Sequence, residues 1–246
     1  MADSPSQRVV SPERVRESGE ASPPTIATPG VARGTYRYTS VVVDGPYIAL
    51  TFDDGPSRRL TPELLDILKE REIPATFFVV GERVGANRSL LQRMVAEGHE
   101  IGNHTWDHSA LEDLDRGSIR DQLMRTSYAI QAAVGERPAL MRPPYGRMDA
   151  DLDEWLFEKL GMTVVMWSVD SNDWRHRDAE RVQEEILAET RPGAVILCHD
   201  IHPSTVAAMP ATLDALLARD VTFVTVSELI TRDRYTGREP GISAAR

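Results

Sequence analysis

From Tyr36 onward, short apolar runs alternate with stretches whose apolar residues recur at helical spacing. Residues 40–43 and 47–52 read as strands flanking Asp44-Gly45, a hairpin-type turn signal. Residues 61–71 follow as a helix, with Leu64, Leu65 and Leu68 on one face, Thr61 in N-cap position and Pro62 at the first helical position. The pattern then predicts a strand at 75–80, a helix at 89–97 stopped by Gly98, and a strand at 99–102. A long helix at 118–134 stopped by Gly135 comes next, then a strand at 138–142, a helix at 150–160 and a strand at 162–168. A helix at 178–190 capped by Asp178, a strand at 194–198, a helix at 206–219, a strand at 221–226 and a helix starting at 227 complete the chain. Seven strands alternating with helices imply an α/β fold whose parallel sheet is buried on both faces.

Composition narrows the classes. The chain has 246 residues with 28 Lys plus Arg against 38 Asp plus Glu, a formal charge of −10. That balance argues against a nucleic-acid partner, which needs a basic footprint. No apolar run approaches the roughly 20 residues of a membrane helix. The single cysteine, Cys198, forms no internal disulfide, and it reads as buried and inert. Residues 1–34 contain five of the 16 prolines and no aromatic residue, and read as a disordered leader or linker ahead of one domain over 35–246. They hold no apolar h-region, so they are not an intact signal peptide: either the chain acts inside the cell or a signal has been removed. No interface pattern is evident, and a monomer is the default expectation.

Five polar clusters each follow a predicted strand: residues 51–57 (TFDDGPS), 103–108 (NHTWDH), 142–146 (RPPYG), 170–174 (DSNDW) and 199–202 (HDIH). An open doubly wound sheet feeds its site mainly from two strand ends, whereas a barrel gathers loops from every strand on one face. Five clusters at corresponding ends therefore point to a barrel mouth. His104 and His108 are four apart, a spacing that a helical turn would place on one face as a metal pair, although ordinary surface histidines fit it as well. Thr105 stands where a zinc protease would carry its glutamate, so a general base must come from elsewhere. Asp53-Asp54 can supply it, one carboxylate ligating a cation while the other addresses its water; a turn cap is the alternative. Two carboxylates after an apolar strand are costly without a partner, and a cation on Asp54, His104 and His108 removes that cost. Three protein ligands with an open position describe a catalytic rather than a structural site. His199 is suited to act as general acid, or is a satisfied structural histidine. Asp173 can hold its ring, Arg142 can pair with Asp53, and the Tyr145 backbone N–H, stiffened by Pro143-Pro144, can face a developing oxyanion.

TFDDGPS, HTWDH, RPPYG, DSNDW and LCHD, in this order, resemble the five motifs of the polysaccharide deacetylases, carbohydrate esterase family four with its NodB homology domain. The resemblance spans about Tyr47 to Pro203, with a looser fit to Val226. It implies a distorted (β/α) barrel with fewer than eight strands, about seven being parallel, and an active site at their C-terminal ends. It implies one divalent metal, usually Zn2+ with Co2+ or Ni2+ as alternatives, on Asp54, His104 and His108. Asp53 would be the base and His199 the acid, with Arg142 bound to the base and Asp173 to the acid. Leu197 and Trp174 would line the acetyl pocket.

The implied activity is metal-dependent N-deacetylation of chitin, chitooligosaccharides or peptidoglycan, with the N-acetylated glycan as partner. The implied location is secreted or cell-wall associated, the signal lying outside this sequence. His199-Asp200-Ile201-His202-Pro203 looks more like the chitin and peptidoglycan branch than the acetylxylan O-esterases, which remain an alternative. A non-catalytic glycan-binding domain and a cytosolic amidohydrolase are further rivals. Trp106, Trp167 and Trp174 offer stacking faces for sugars, although Trp167, on a predicted strand, reads as core. Short connections at the strand ends predict an open groove that accepts several chain lengths.

Overall fold

The computed structural model describes residues 36–149 and 151–234, so the leader expected over 1–34 lies outside the described residues. The elements run β1 (Arg37–Tyr38), β2 (Tyr47–Asp53), α1 (Leu60–Glu70), β3 (Thr76–Val79), α2 (Gly81–Val84), α3 (Arg88–Ala96), β4 (Glu100–Asn103) and α4 (Arg116–Val134). They continue with β5 (Leu140–Met141), α5 (Leu152–Leu160), β6 (Thr163–Val165), β7 (Val169–Asp170), α6 (Asp173–His176), α7 (Ala179–Glu189), β8 (Val195–His199), α8 (Pro203–Leu217), β9 (Thr222–Val224) and α9 (Val226–Thr231). Each of the seven strands expected to alternate with helices is present. Two more, β1 and β7, are two residues long, too short to leave a periodic signature.

The named strands pair in parallel, in the spatial order β1-β6-β5-β4-β3-β2-β8-β7, with β9 pairing the start of β2. The sheet curls into an incomplete barrel with helices outside. β2 shows why: its period of two sends Ile48, Leu50 and Phe52 outward to the core beneath α1, α3, α7 and α8. Ala49 packs instead in a second core with Phe78, Val165 and Val195, closed at the base by Val226, Leu229 and Ile230 of α9. Thr51 and Asp53 share the inward face with Ala49, so the lumen runs from apolar base to polar mouth. β8 repeats the scheme: Val195 lies at the base and His199 at the mouth, in register with Asp53, while Ile196 and Cys198 face outward.

Local chemistry sets the helix ends. Asp115 accepts a hydrogen bond from Ser118 N to cap α4, and Gly135 ends it at φ 94°. Asp178 caps α7 as expected, accepting from Arg181 N. Two expectations are corrected. Residues 40–43 are not a strand of a hairpin with β2, because β3 and β9 occupy one edge of β2 and β8 the other. Val41 N donates instead to Gly193 O, an approach so close that a Cβ on Gly193 would lie 1.8 Å from Val41 O. Thr61 is not the cap of α1: it sits inside the helix, fully buried, and its hydroxyl reaches the carboxyl of Asp200. No helix among the described residues is long and apolar enough to cross a membrane.

Candidate active site

Asp53 ends β2 on the lumen face, and the chain then turns through Asp54 at φ 71°. That left-handed residue makes two adjacent carboxylates diverge. Asp53 Oδ1 accepts from Arg142 Nη1 at 2.7 Å, and Asp53 Oδ2 lies 3.8 Å from His104 Nε2. Arg142 is fully buried, and every one of its bonds orients it: Nε to Val165 O, Nη2 to Met166 O, and Nη1 also to Thr51 Oγ1 at 2.7 Å. Its guanidinium stacks 4.2 Å above the Phe78 ring.

Asp54 Oδ1 lies 3.0 Å from His108 Nε2 and 3.4 Å from His104 Nε2. His104 Nδ1 is 2.8 Å from the Arg142 carbonyl, which can only accept, so Nδ1 carries the proton and Nε2 keeps its lone pair. The buried Asp54 Oδ1 makes no hydrogen bond. The ligand atoms of Asp54, His104 and His108 lie within 4.8 Å of one another. Acceptors facing one another without a proton between them fit a cation, and two imidazoles with one carboxylate are a donor set that suits zinc. Burial alone would raise the Asp54 carboxyl. Donation from His104 and His108, were their rings protonated, and the charge of His199 would outweigh burial and hold it well below the usual carboxylate range; a cation takes over that part when the rings ligate through their lone pairs.

The His104–His108 spacing works, but not through a helical turn. Residues 104–108 form a loop with Thr105 at φ 64° and His108 at φ 65°. Asn103 Oδ1 accepts from Thr105 N, Thr105 Oγ1 from His108 N, and Gln122 Oε1 of α4 from Trp106 N. The rings end 5.0 Å apart.

On the other side of Asp53, His199 Nδ1 donates to Asp173 Oδ1 at 2.7 Å, and His199 N donates to Oδ2. Thr205 Oγ1 of α8 also donates to Oδ2 at 2.6 Å. Burial would lower the His199 imidazole, but the hydrogen bond and charge of Asp173, with Asp53 and Asp54 nearby, raise it to about 9. Leu197 sits two residues below His199, opposite Thr51 and Asp170. Trp174 and Tyr145 stand 51% and 64% exposed. Trp167 is not core: it is half-buried between β6 and β7, its ring 5.7 Å from the Arg142 guanidinium. Cys198 is fully buried, and burial pushes its thiol up, in keeping with an inert residue.

Four side chains at the mouth make contacts that the motif reading assigned to none of them. They are Thr51 on Arg142, Thr205 on Asp173, the Tyr145 hydroxyl 3.2 Å from His108 Nδ1, and Asp200 beneath Gly55. Thr51, Tyr145 and Asp200 lie within the quoted clusters, and Thr51 also stands two residues before Asp53 on the same strand face; Thr205 lies outside them and carried no signal. A cavity of about 200 Å³ lined by Pro46, Pro192, Leu216 and Val221 precedes β2, β8 and β9, at the opposite end of the barrel from this chemistry.

A parallel half-barrel whose strand ends gather a carboxylate pair, three imidazoles and a buried arginine belongs to the barrel enzymes that work at the C-terminal strand face. Sequence comparison narrows the class: residues 41–165 match the polysaccharide deacetylase family, and the chain belongs to that family. It is 40% identical over 192 residues to the peptidoglycan-N-acetylglucosamine deacetylase PgdA of Listeria monocytogenes, covering 78% of this chain and 40% of that protein. It is 42% identical over 157 residues to a chitooligosaccharide deacetylase of Bradyrhizobium sp., covering 63% of this chain and 71% of the relative. The match thus covers less than half the length of PgdA. Its fold matches the crystal structure of the Bc1960 peptidoglycan N-acetylglucosamine deacetylase with a TM-score of 0.77 and 32% identity, over 81% of this chain and 96% of that one.

Proposed function

We propose that the protein hydrolyses N-acetyl groups on N-acetylglucosamine-containing glycans, peptidoglycan or chitooligosaccharide strands, releasing acetate and leaving a free amine. The observation that carries this reading is the juxtaposition at Asp53. Arg142 holds one of its oxygens, the Asp54-His104-His108 group adjoins the other, and His199 with Asp173 stands in register on the next strand.

Asp54, His104 and His108 would hold a divalent cation, zinc by preference and cobalt or nickel as alternatives. When bound, it supplies Lewis acidity, making water a nucleophile near neutral pH and polarising the amide carbonyl. Asp53 then takes the proton from the attacking water through Oδ2, its other oxygen being fixed by Arg142. The Tyr145 backbone N–H faces the oxyanion. His199, oriented through Nδ1 by Asp173, uses Nε2 to give a proton to the departing nitrogen, a poor leaving group without one. Leu197 and Trp174 line the space for the acetyl methyl. Exposed Tyr145 and Trp174 at the rim suit an open groove for a polymer. A cell-wall substrate implies action outside the cytoplasm, and the relatives' names support that location.

The test is acetate release from N-acetylglucosamine oligomers, peptidoglycan and acetylxylan, by zinc-loaded and chelator-stripped protein. Only the loaded protein should act, and on the N-acetylated glycans above acetylxylan. D53N should retain zinc and lose turnover by about a hundredfold or more. Full activity after stripping, or in D53N, would overturn the reading; preference for acetylxylan would reassign the substrate to an ester.

A further inference from the structure

We infer that the side-chain hydroxyl of Tyr145 is a positioning group for His108: it accepts the Nδ1 proton, presents Nε2 to a cation, and ties metal affinity to a side chain standing in the substrate groove. The inference rests on the metal reading above and assigns Tyr145 a role separate from that of its backbone N–H.

Three observations converge. Tyr145 Oη lies 3.2 Å from His108 Nδ1, and the two rings meet edge to face with centroids 4.7 Å apart. His108 Nε2 points to Asp54 Oδ1 at 3.0 Å, so the two ring nitrogens have separate partners. An imidazole that ligates through Nε2 is neutral and carries its proton on Nδ1, which a phenol oxygen can accept. His104 shows the same arrangement with a different acceptor, the carbonyl of Arg142. One short loop, residues 142–146, therefore orients both imidazoles.

The loop's backbone is held for this purpose. Tyr145 sits at φ 60° and ψ 7°, a conformation that side chains other than those of glycine, asparagine and aspartate rarely adopt. The turn that keeps it there is closed by Gly146 N on Pro143 O and by Arg147 N on Pro144 O. Gly146 must remain glycine: it stands at φ 65°, and a Cβ would lie 2.7 Å from the Trp167 ring. The Tyr145 ring is 64% exposed, so burial does not dictate its place. The ring contact that the structure gives it is with His108. A glycan that moves this ring would also move a metal ligand.

Zinc affinity measured by chelator competition on the full chain tests the claim for wild type, Y145F and Y145A. Y145F, which keeps the ring and the backbone N–H, should bind zinc about 10–100-fold more weakly, as loss of an outer hydrogen bond to a ligating histidine does. In the zinc-loaded proteins, nitrogen-15 signals should shift for His108 in Y145F while those of His104 stay in place. Wild-type affinity in Y145F, weakening confined to Y145A, or equal shifts at both histidines would overturn the inference. Failure of the wild type to bind zinc at all would instead remove the metal reading on which it rests.

Discussion

At the scale of single residues, the site sets two opposed demands and meets each with a carboxylate. Asp53 must stay free to accept a proton, and Arg142 fixes it without leaving solvent beside it. His199 must keep a proton to give away. Burial works against that, and Asp173, bonded to both the ring and the backbone N–H of His199, overrides it. The folded-state pKa of about 9 lies above the 6.5 of a free imidazole. The stabilisation that His199 contributes is therefore complete below pH 6.5 and fades as pH rises toward 9. Acid competence follows the same limb. In D173N the charge is gone while burial remains, so the alkaline limb of kcat/KM for amide substrates should move down by about one pH unit or more. An unmoved limb in D173N would show that another group supplies the proton.

At the scale of elements, the β2–α1 connection carries the strictest packing. A Cβ on Gly55 would lie 2.3 Å from both carboxyl oxygens of Asp200. Asp200 has no exposed surface into which to retreat, and the Thr61 hydroxyl holds its Oδ2. Burial, with Asp54 nearby and against the Thr61 bond, raises this carboxyl to about 7. In G55A the backbone must move instead, carrying Asp54 away from the imidazoles. We expect zinc affinity to fall about tenfold or more and stability by about 1–3 kcal/mol, the usual cost of overpacking. Calorimetric zinc titration and urea unfolding measure the two, and unchanged zinc binding in G55A would contradict the argument.

The same connection shows which features were legible beforehand. The elements were, because β2, β3 and β8 are short, mostly apolar runs and α1 shows its leucines at helical spacing. The metal, base and acid candidates were too, since they end strands whose inward face can be counted back from the mouth. Side-chain partners from distant segments were not. Thr61 reads locally as a cap and is claimed by Asp200. His104 and His108 read as one helical turn, yet bonds to Asn103 and Gln122 draw the chain into a loop. Asp44-Gly45 reads as a hairpin turn, but both edges of β2 were already paired.

At the scale of the whole molecule, the candidate ligands come from the ends of β2 and β4, two strands separated by β3. A cation there ties together the ends of two strands that do not pair with each other. It also relieves the buried, unbonded Asp54 oxygen. We expect folding not to depend on it, because the sheet is sandwiched between a lumen core sealed by α9 and an outer core beneath the helices. Stripped protein should thus remain folded but melt earlier. Zinc at about a hundred times its dissociation constant adds about 2.7 kcal/mol to stability. For a domain of this size that corresponds to a rise of about 5–10 °C in Tm. D54A removes both the ligand and the uncompensated charge, so its melting temperature should not respond to zinc and should lie at or above that of stripped wild type. A zinc-dependent rise that persisted in D54A would place the cation elsewhere. A stripped wild type that failed to fold would show the ion to be structural, and the open position that hydrolysis requires would lose its rationale.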